Sequence, residues 1–195
     1  MSRLSRPTPE ELSADQRVVY DAIVGGKRSS GPRLFELTAA DGSLHGPFNA
    51  MLMSPELGGA LQRVGEVLRY ESTLPARVRE LVILMVSCDW KCEFEWYAHS
   101  AVARHVGMPE RVLDQLRAGA RPDGLSAEEA AAYDVCAALS RDRAVGDDLY
   151  RVARAVFDER GVAELVFLFG YYTTLAAALN AFAVPPPPGA TPVFG

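Results

Sequence analysis

Lysine is nearly missing from this chain: of 20 basic residues only Lys27 and Lys91 are lysine, and the 18 arginines are scattered. With a net charge of −5 and a pI near 5.3, no basic patch is available. That excludes nucleic acid as an expected partner and removes the polybasic route to a membrane surface. Cysteine is scarce too. Three thiols, an odd number, do not make a disulfide framework. The opening MSRLSRPTPEELSADQ lacks an apolar h-region, so no secretory signal is read and the expected compartment is cytoplasmic. Alternating apolar–polar runs are almost absent, which leaves an all-α class.

What remains is ordinary for a globular chain of 195 residues, with 49% hydrophobic and 23% charged residues, enough for one domain with a real core. One run tests that reading. From Leu165 to Val184 there are 20 residues without a formal charge, long enough to span a bilayer. Tyr171, Tyr172, Thr173, Thr174 and Asn180 interrupt it, Glu164 heads it, and no Lys or Arg follows. A helix buried in a core or a subunit interface is therefore expected, with no membrane partner.

The expected organisation has three parts. Residues 1–47 hold an arm with Pro7 and Pro9, a first helix over Arg17–Val24 capped by Ser13 and Gln16, and turn-rich loops over 25–32 and 41–47. Residues 48–184 form the helical domain. Ser54-Pro55-Glu56 opens a helix whose Leu57, Leu61, Val64 and Leu68 recur at helical spacing, and Leu74-Pro75 ends that segment. Gly107 stops the next helix, a short one covers Glu110–Arg117, Ser126 caps another that carries Cys136, and a further one covers Asp147–Glu159 before the long apolar run from Gly161. Residues 185–195, PPPPGATPVFG, form an extended tail suited to lying on a neighbouring subunit. Glu80 and its apolar run also echo Glu164 and the run that follows it.

Chemistry concentrates in Arg77–Val106. Read as one helix at about 100° per residue, it places Cys88, Cys92, Glu95 and His99 within roughly 60° of one another, and a break near Trp90-Lys91 would take Cys88 off that stripe. Glu95 and His99 are four apart, so a carboxylate meets an imidazole, the preparation for proton transfer near neutral pH. Glu80 heads an apolar run where desolvation is expected to raise its pKa. Four ligands on one straight helix do not enclose a tetrahedral metal, so no metal site is expected. His105 is off the stripe, and Cys136 reads as a core hydrophobe.

The order Glu80, eleven residues, Cys92, two residues, Glu95, three residues, His99 resembles the signature of the carboxymuconolactone decarboxylase and alkyl hydroperoxidase D superfamily. The blocks GPFNAMLMSPELG, LPARVRELVIL, CEFEWYAHSAVARHVGM and ELVFLFGYYTTLAAALNAFAVP are similar to longer members of that group. The peroxidase branch carries a second cysteine where this chain has Glu95. Cys88 is a poor substitute, because helical i, i+4 Cβ vectors do not aim at each other.

The resemblance implies an alkyl hydroperoxidase D-like helical bundle that is an obligate homo-oligomer, as a dimer, trimer or hexamer. It further implies cofactor-free decarboxylation, or related proton transfer, on a small carboxylated lactone or β-keto acid. On that reading His99, oriented by Glu95, donates or shuttles the proton. Glu80 is a second acid or relay, Cys92 lines the pocket, and Phe48 and Trp96 are its walls. Two alternatives stand beside it: a thiol-dependent peroxidase using Cys92, and a non-catalytic small-molecule-binding oligomer.

Overall fold

A computed structural model of the protein describes residues 2–29 and 34–195; the far end of the expected 25–32 loop lies outside the described residues. The described residues form eight α-helices and no strand: α1 (Ala14–Val24), α2 (Pro47–Leu52), α3 (Pro55–Tyr70), α4 (Ala76–Asp89), α5 (Glu93–His105), α6 (Glu110–Arg117), α7 (Ala127–Asp142) and α8 (Asp147–Ala181). The loop before α2 is a tight reversal with a single bridge between Thr38 and Leu44.

The bundle is built around α4, which packs against α5, α7 and α8. Leu81, Val82, Ile83 and Leu84 are each at most 1% exposed, so this helix is enclosed on every side. Its apolar run has no polar face because no face meets water. One large core joins α4 to α1, α2, α3, α5, α7 and α8. A smaller core of Leu81, Leu84, Trp96, Ala103 and Met108 sits between α4, α5 and α6.

Local signals account for most helix ends. Ser13 and Ser126 accept the N–H of Gln16 and Glu129, and both helices begin with reciprocal capping boxes. Gly107, at φ +83°, closes α5 as the sequence anticipates. The break between Asp147–Glu159 and the apolar run also occurs. Asp158 leaves helical geometry (φ 60°, ψ −174°) and its Oδ1 accepts the Gly161 N–H at 2.9 Å, starting the second half of α8.

Three expectations change. Arg77–Val106 is not one helix: it breaks at Trp90-Lys91. Lys91 N bonds Cys88 O at 3.1 Å and Cys92 N bonds Ser87 O at 2.8 Å, with Lys91 left-handed at φ 48°. This is a Schellman closure with lysine at the position usually given to glycine. Of the four leucine and valine positions expected to share a face of α3, only Leu68 is buried, whereas Leu57 is 60% and Val64 45% exposed. The amino-terminal arm packs on the bundle, where Arg3 N donates to Phe182 O at 2.8 Å and Asn49 Nδ2 donates to Ser5 O at 2.8 Å. The tail folds onto its own chain: Val193 and Phe194 donate their N–H groups to the Glu93 carboxylate at 2.7–3.0 Å, and the Phe194 ring stands edge-on to Trp96.

By length and composition α8 is apolar enough to cross a membrane, yet Leu165, Leu168, Tyr171, Tyr172, Leu175, Ala176 and Leu179 point into the protein core. Its outer row, Ala163, Val166, Phe167 and Gly170, faces solvent, with Phe167 65% exposed.

Candidate active site

Where α4 and α5 lie side by side, Glu80 from the first meets His99 and Glu95 from the second. His99 Nδ1 is 2.7 Å from Glu80 Oε2, and its Nε2 is 3.4 Å from Glu95 Oε2. The imidazole is thus held between two carboxyls. All three residues are at most 4% exposed. Packing of α3 and α8 over the pair adds two residues that sequence reasoning missed. Arg69, at the end of α3, places Nη1 at 3.4 Å from both ring nitrogens of His99 and donates to the Tyr172 hydroxyl at 3.2 Å. Its Nη2 is 3.9 Å from Glu80 Oε1. Tyr172 crosses the His99 ring edge-on at 5.1 Å.

The two carboxyls are driven apart. Burial alone would raise Glu80, but the charge and hydrogen bond of His99, with Arg69 and Arg79 beyond, hold it below the usual carboxylate range. The expected upward shift at Glu80 is therefore reversed. Glu95 goes the other way: burial dominates, only partly countered by His99 and Arg69, and its pKa is raised. With Glu80 ionised, the short contact makes Nδ1–H the donor to it, and Nε2 is turned to Glu95. The orienting partner of His99 is Glu80 rather than Glu95. Two carboxyls whose pKa values are pushed in opposite directions around one imidazole are the arrangement that acid–base sites use.

A cavity of about 20 Å³ adjoins the cluster, room for roughly one water. Glu95, His99, Arg28, Arg69, Phe35 and Phe48 are among its lining residues. Phe48 lines this cavity. Trp96 does not; it lies in the small core against Phe194. Cys92 stands at the N-cap of α5, 1% exposed, and does not line the cavity. Burial, with Glu95 beside it, pushes its thiol up to about 12, so a thiolate is scarce near neutral pH. The helix break takes Cys88 off the stripe; it packs beside the small core, and burial pushes its thiol up to about 12 as well. Cys136 is fully enclosed and likewise raised by burial.

The all-helical bundle resembles solved alkyl hydroperoxidase D-like structures in fold. An uncharacterized peroxidase-related protein from Silicibacter sp. TM1040 superposes with a TM-score of 0.72 at 18% identity, over 100% of this chain and 96% of that one. An alkylhydroperoxidase AhpD core protein from Ralstonia eutropha JMP134, also described as peroxidase-related, gives 0.74 at 16% identity, over 96% and 93%. The debrominase Bmp8, as a cysteine-to-alanine variant bound to 2,3,4-tribromopyrrole, gives 0.70 at 12% identity, over 96% and 95%. At such identities the likeness is one of fold. No curated protein matches the sequence. Residues 55–138, from α3 into α7, match the model of the Carboxymuconolactone decarboxylase family, and this segment carries Arg69, Glu80, Cys92, Glu95 and His99.

Proposed function

We propose that the protein is a cofactor-free decarboxylase, or a related proton-transfer lyase, acting on a small carboxylated lactone or β-keto acid. The observation that carries this reading is the pair of carboxyls on His99, one with its pKa lowered and the other with its pKa raised by burial, beside a cavity that also presents Arg28 and Arg69. In a β-keto acid the bond between the α-carbon and the carboxylate carbon breaks. CO2 leaves, and the electron pair passes into the neighbouring carbonyl as an enolate. Arg28 and Arg69 stabilise the developing oxyanion in a site of low dielectric. Glu95 gives its proton to the α-carbon. The carboxylate left behind is stabilised by His99 and Arg69 until solvent restores the proton as product departs. Glu80 fixes the imidazole for that role.

The cavity holds about one water, so substrate enters when the Phe35 and Phe48 rings swing aside. Self-association into a homodimer, trimer or hexamer is part of the same proposal, supported by the exposed apolar row on α8. So is a cytoplasmic location.

The test is CO2 release from a panel of β-keto acids and carboxylated lactones. Glu95→Gln is expected to lower kcat by about 10² or more, the usual worth of a positioned acid. A rate unchanged by Glu95→Gln sinks the reading.

The competing thiol reading rests on the position of Cys92 in the motif and on peroxidase-related and debrominase neighbours. Against it stand the enclosed thiol with its raised pKa and a Glu95 where a resolving cysteine would be needed. Peroxide consumption with a dithiol that Cys92→Ser abolishes would restore it.

A further inference from the structure

A second apolar cleft flanks α2, apart from the cavity beside His99. Between the amino-terminal arm and the proline tail lies a cavity of about 570 Å³, within the roughly 300–1,000 Å³ typical of small-molecule sites. Its walls are apolar, from Leu4, Leu44 and Val184 to the rings of Pro185–Pro188. Proline fixes its own φ, so the tail side is pre-shaped and loses little entropy when something packs on it.

Besides Ser2, three polar side chains line this apolar space. Asn49 is 4% exposed, and while its Nδ2 donates to Ser5 O at 2.8 Å, its buried Oδ1 has no hydrogen-bond partner. A buried acceptor left unpaired costs about 1–3 kcal/mol, which a donor on a ligand would recover. Arg6 donates to Ser43 Oγ at 2.8 Å and has no carboxylate within ion-pair distance among the described residues. His45 lines the same cleft, and burial together with the Arg6 charge lowers its pKa, so it offers a neutral imidazole.

We infer that this cleft is a second ligand site, for a small aromatic carboxylate that also carries a hydroxyl donor. The ring packs on the prolines, the carboxylate meets Arg6, and the hydroxyl supplies Asn49 Oδ1. The cleft is separate from the His99 cavity. The segment between them is shared, with Gly46 and Asn49 on one side and Pro47 and Phe48 on the other. Gly46 is at φ +60°, and a Cβ there would sit 2.3 Å from the Phe94 ring, so the partition is fixed. The inference does not rest on the decarboxylase reading.

The probe is 4-hydroxybenzoate, followed by calorimetry and by the His45 and His99 ring signals in NMR. Saturable binding is expected, with the His45 ring signals shifting. Arg6→Gln, at an exposed position, weakens binding about tenfold, the worth of one charge-assisted hydrogen bond. 4-Hydroxybenzamide, which lacks the anion, binds wild type as weakly as the acid binds Arg6→Gln. His99→Ala leaves the affinity within about twofold. No saturation up to about 10 mM, equal affinity in Arg6→Gln, or binding abolished by His99→Ala would each overturn the assignment.

Discussion

Glu80→Gln removes one negative charge and changes almost nothing else in shape. In the folded protein that charge sits 2.7 Å from the His99 ring and 3.9 Å from Arg69, with Glu80 5% and Arg69 15% exposed at their side chains. Glutamine keeps an acceptor for Nδ1–H but leaves the Arg69 charge without its carboxylate. Breaking a buried pair from one side costs about 3–5 kcal/mol. The lower end applies, because Arg69 retains the Tyr172 hydroxyl. At about 2–4 °C per kcal/mol for a chain of this size, Tm at pH 7 falls by about 6–12 °C.

The pH dependence gives a sharper reading. The folded state holds Glu80 below its unfolded value, so its stabilisation is complete above the unfolded carboxylate pKa. That stabilisation is lost as pH falls through the folded value. Calorimetric melts from neutral to acid pH should show the gap between wild type and variant narrowing as the pH drops. A gap under about 2 °C at pH 7, or one that widens on acidification, refutes the argument.

Other expectations follow from single contacts. Lys91→Gly, at the left-handed position that ends α4, should stabilise the protein by about 0.5–1 kcal/mol in urea unfolding, since glycine meets φ 48° without strain; a loss of stability would contradict the Schellman reading. Phe194→Ala, which removes the ring from Trp96, should cost about 0.5–1.5 kcal/mol beyond lost area and free the tail to proteolysis. Wild-type kcat should fall as pH rises through the raised Glu95 pKa, because the acid form is the donor, and Glu95→Gln should flatten that limb.

Much of the architecture is written locally. The capping serines, Gly107 and Leu74-Pro75 mark helix ends by chemistry that needs no partner, and the all-α class follows from periodicity. The break at Trp90-Lys91 is not legible this way. A lysine there takes the role of glycine, and nothing in Asp89-Trp90-Lys91-Cys92 signals φ > 0. Reading through it put Cys88 on a stripe it does not share. The motif spacing still brought Glu80, Glu95 and His99 to notice, because two helices packed side by side bring their facing residues together. Which carboxyl holds the imidazole was beyond reach. That depends on the interhelix distance and on Arg69, 30 residues from His99 in sequence. Trp96 misled for a related reason, since the choice between cavity and core was made by Phe194 in a tail whose folding back no local pattern announces.

The account stands on Glu80 and Glu95 being in opposite protonation states around one imidazole. Carbon-13 NMR of protein labelled at the glutamate carboxyl carbon measures this directly, with Glu80→Gln and Glu95→Gln supplying the assignments. One signal, missing from Glu80→Gln, should stay ionised below the usual carboxylate range, and another, missing from Glu95→Gln, should remain protonated above it. Both titrating in the usual range, or the two in reversed order, would contradict the account.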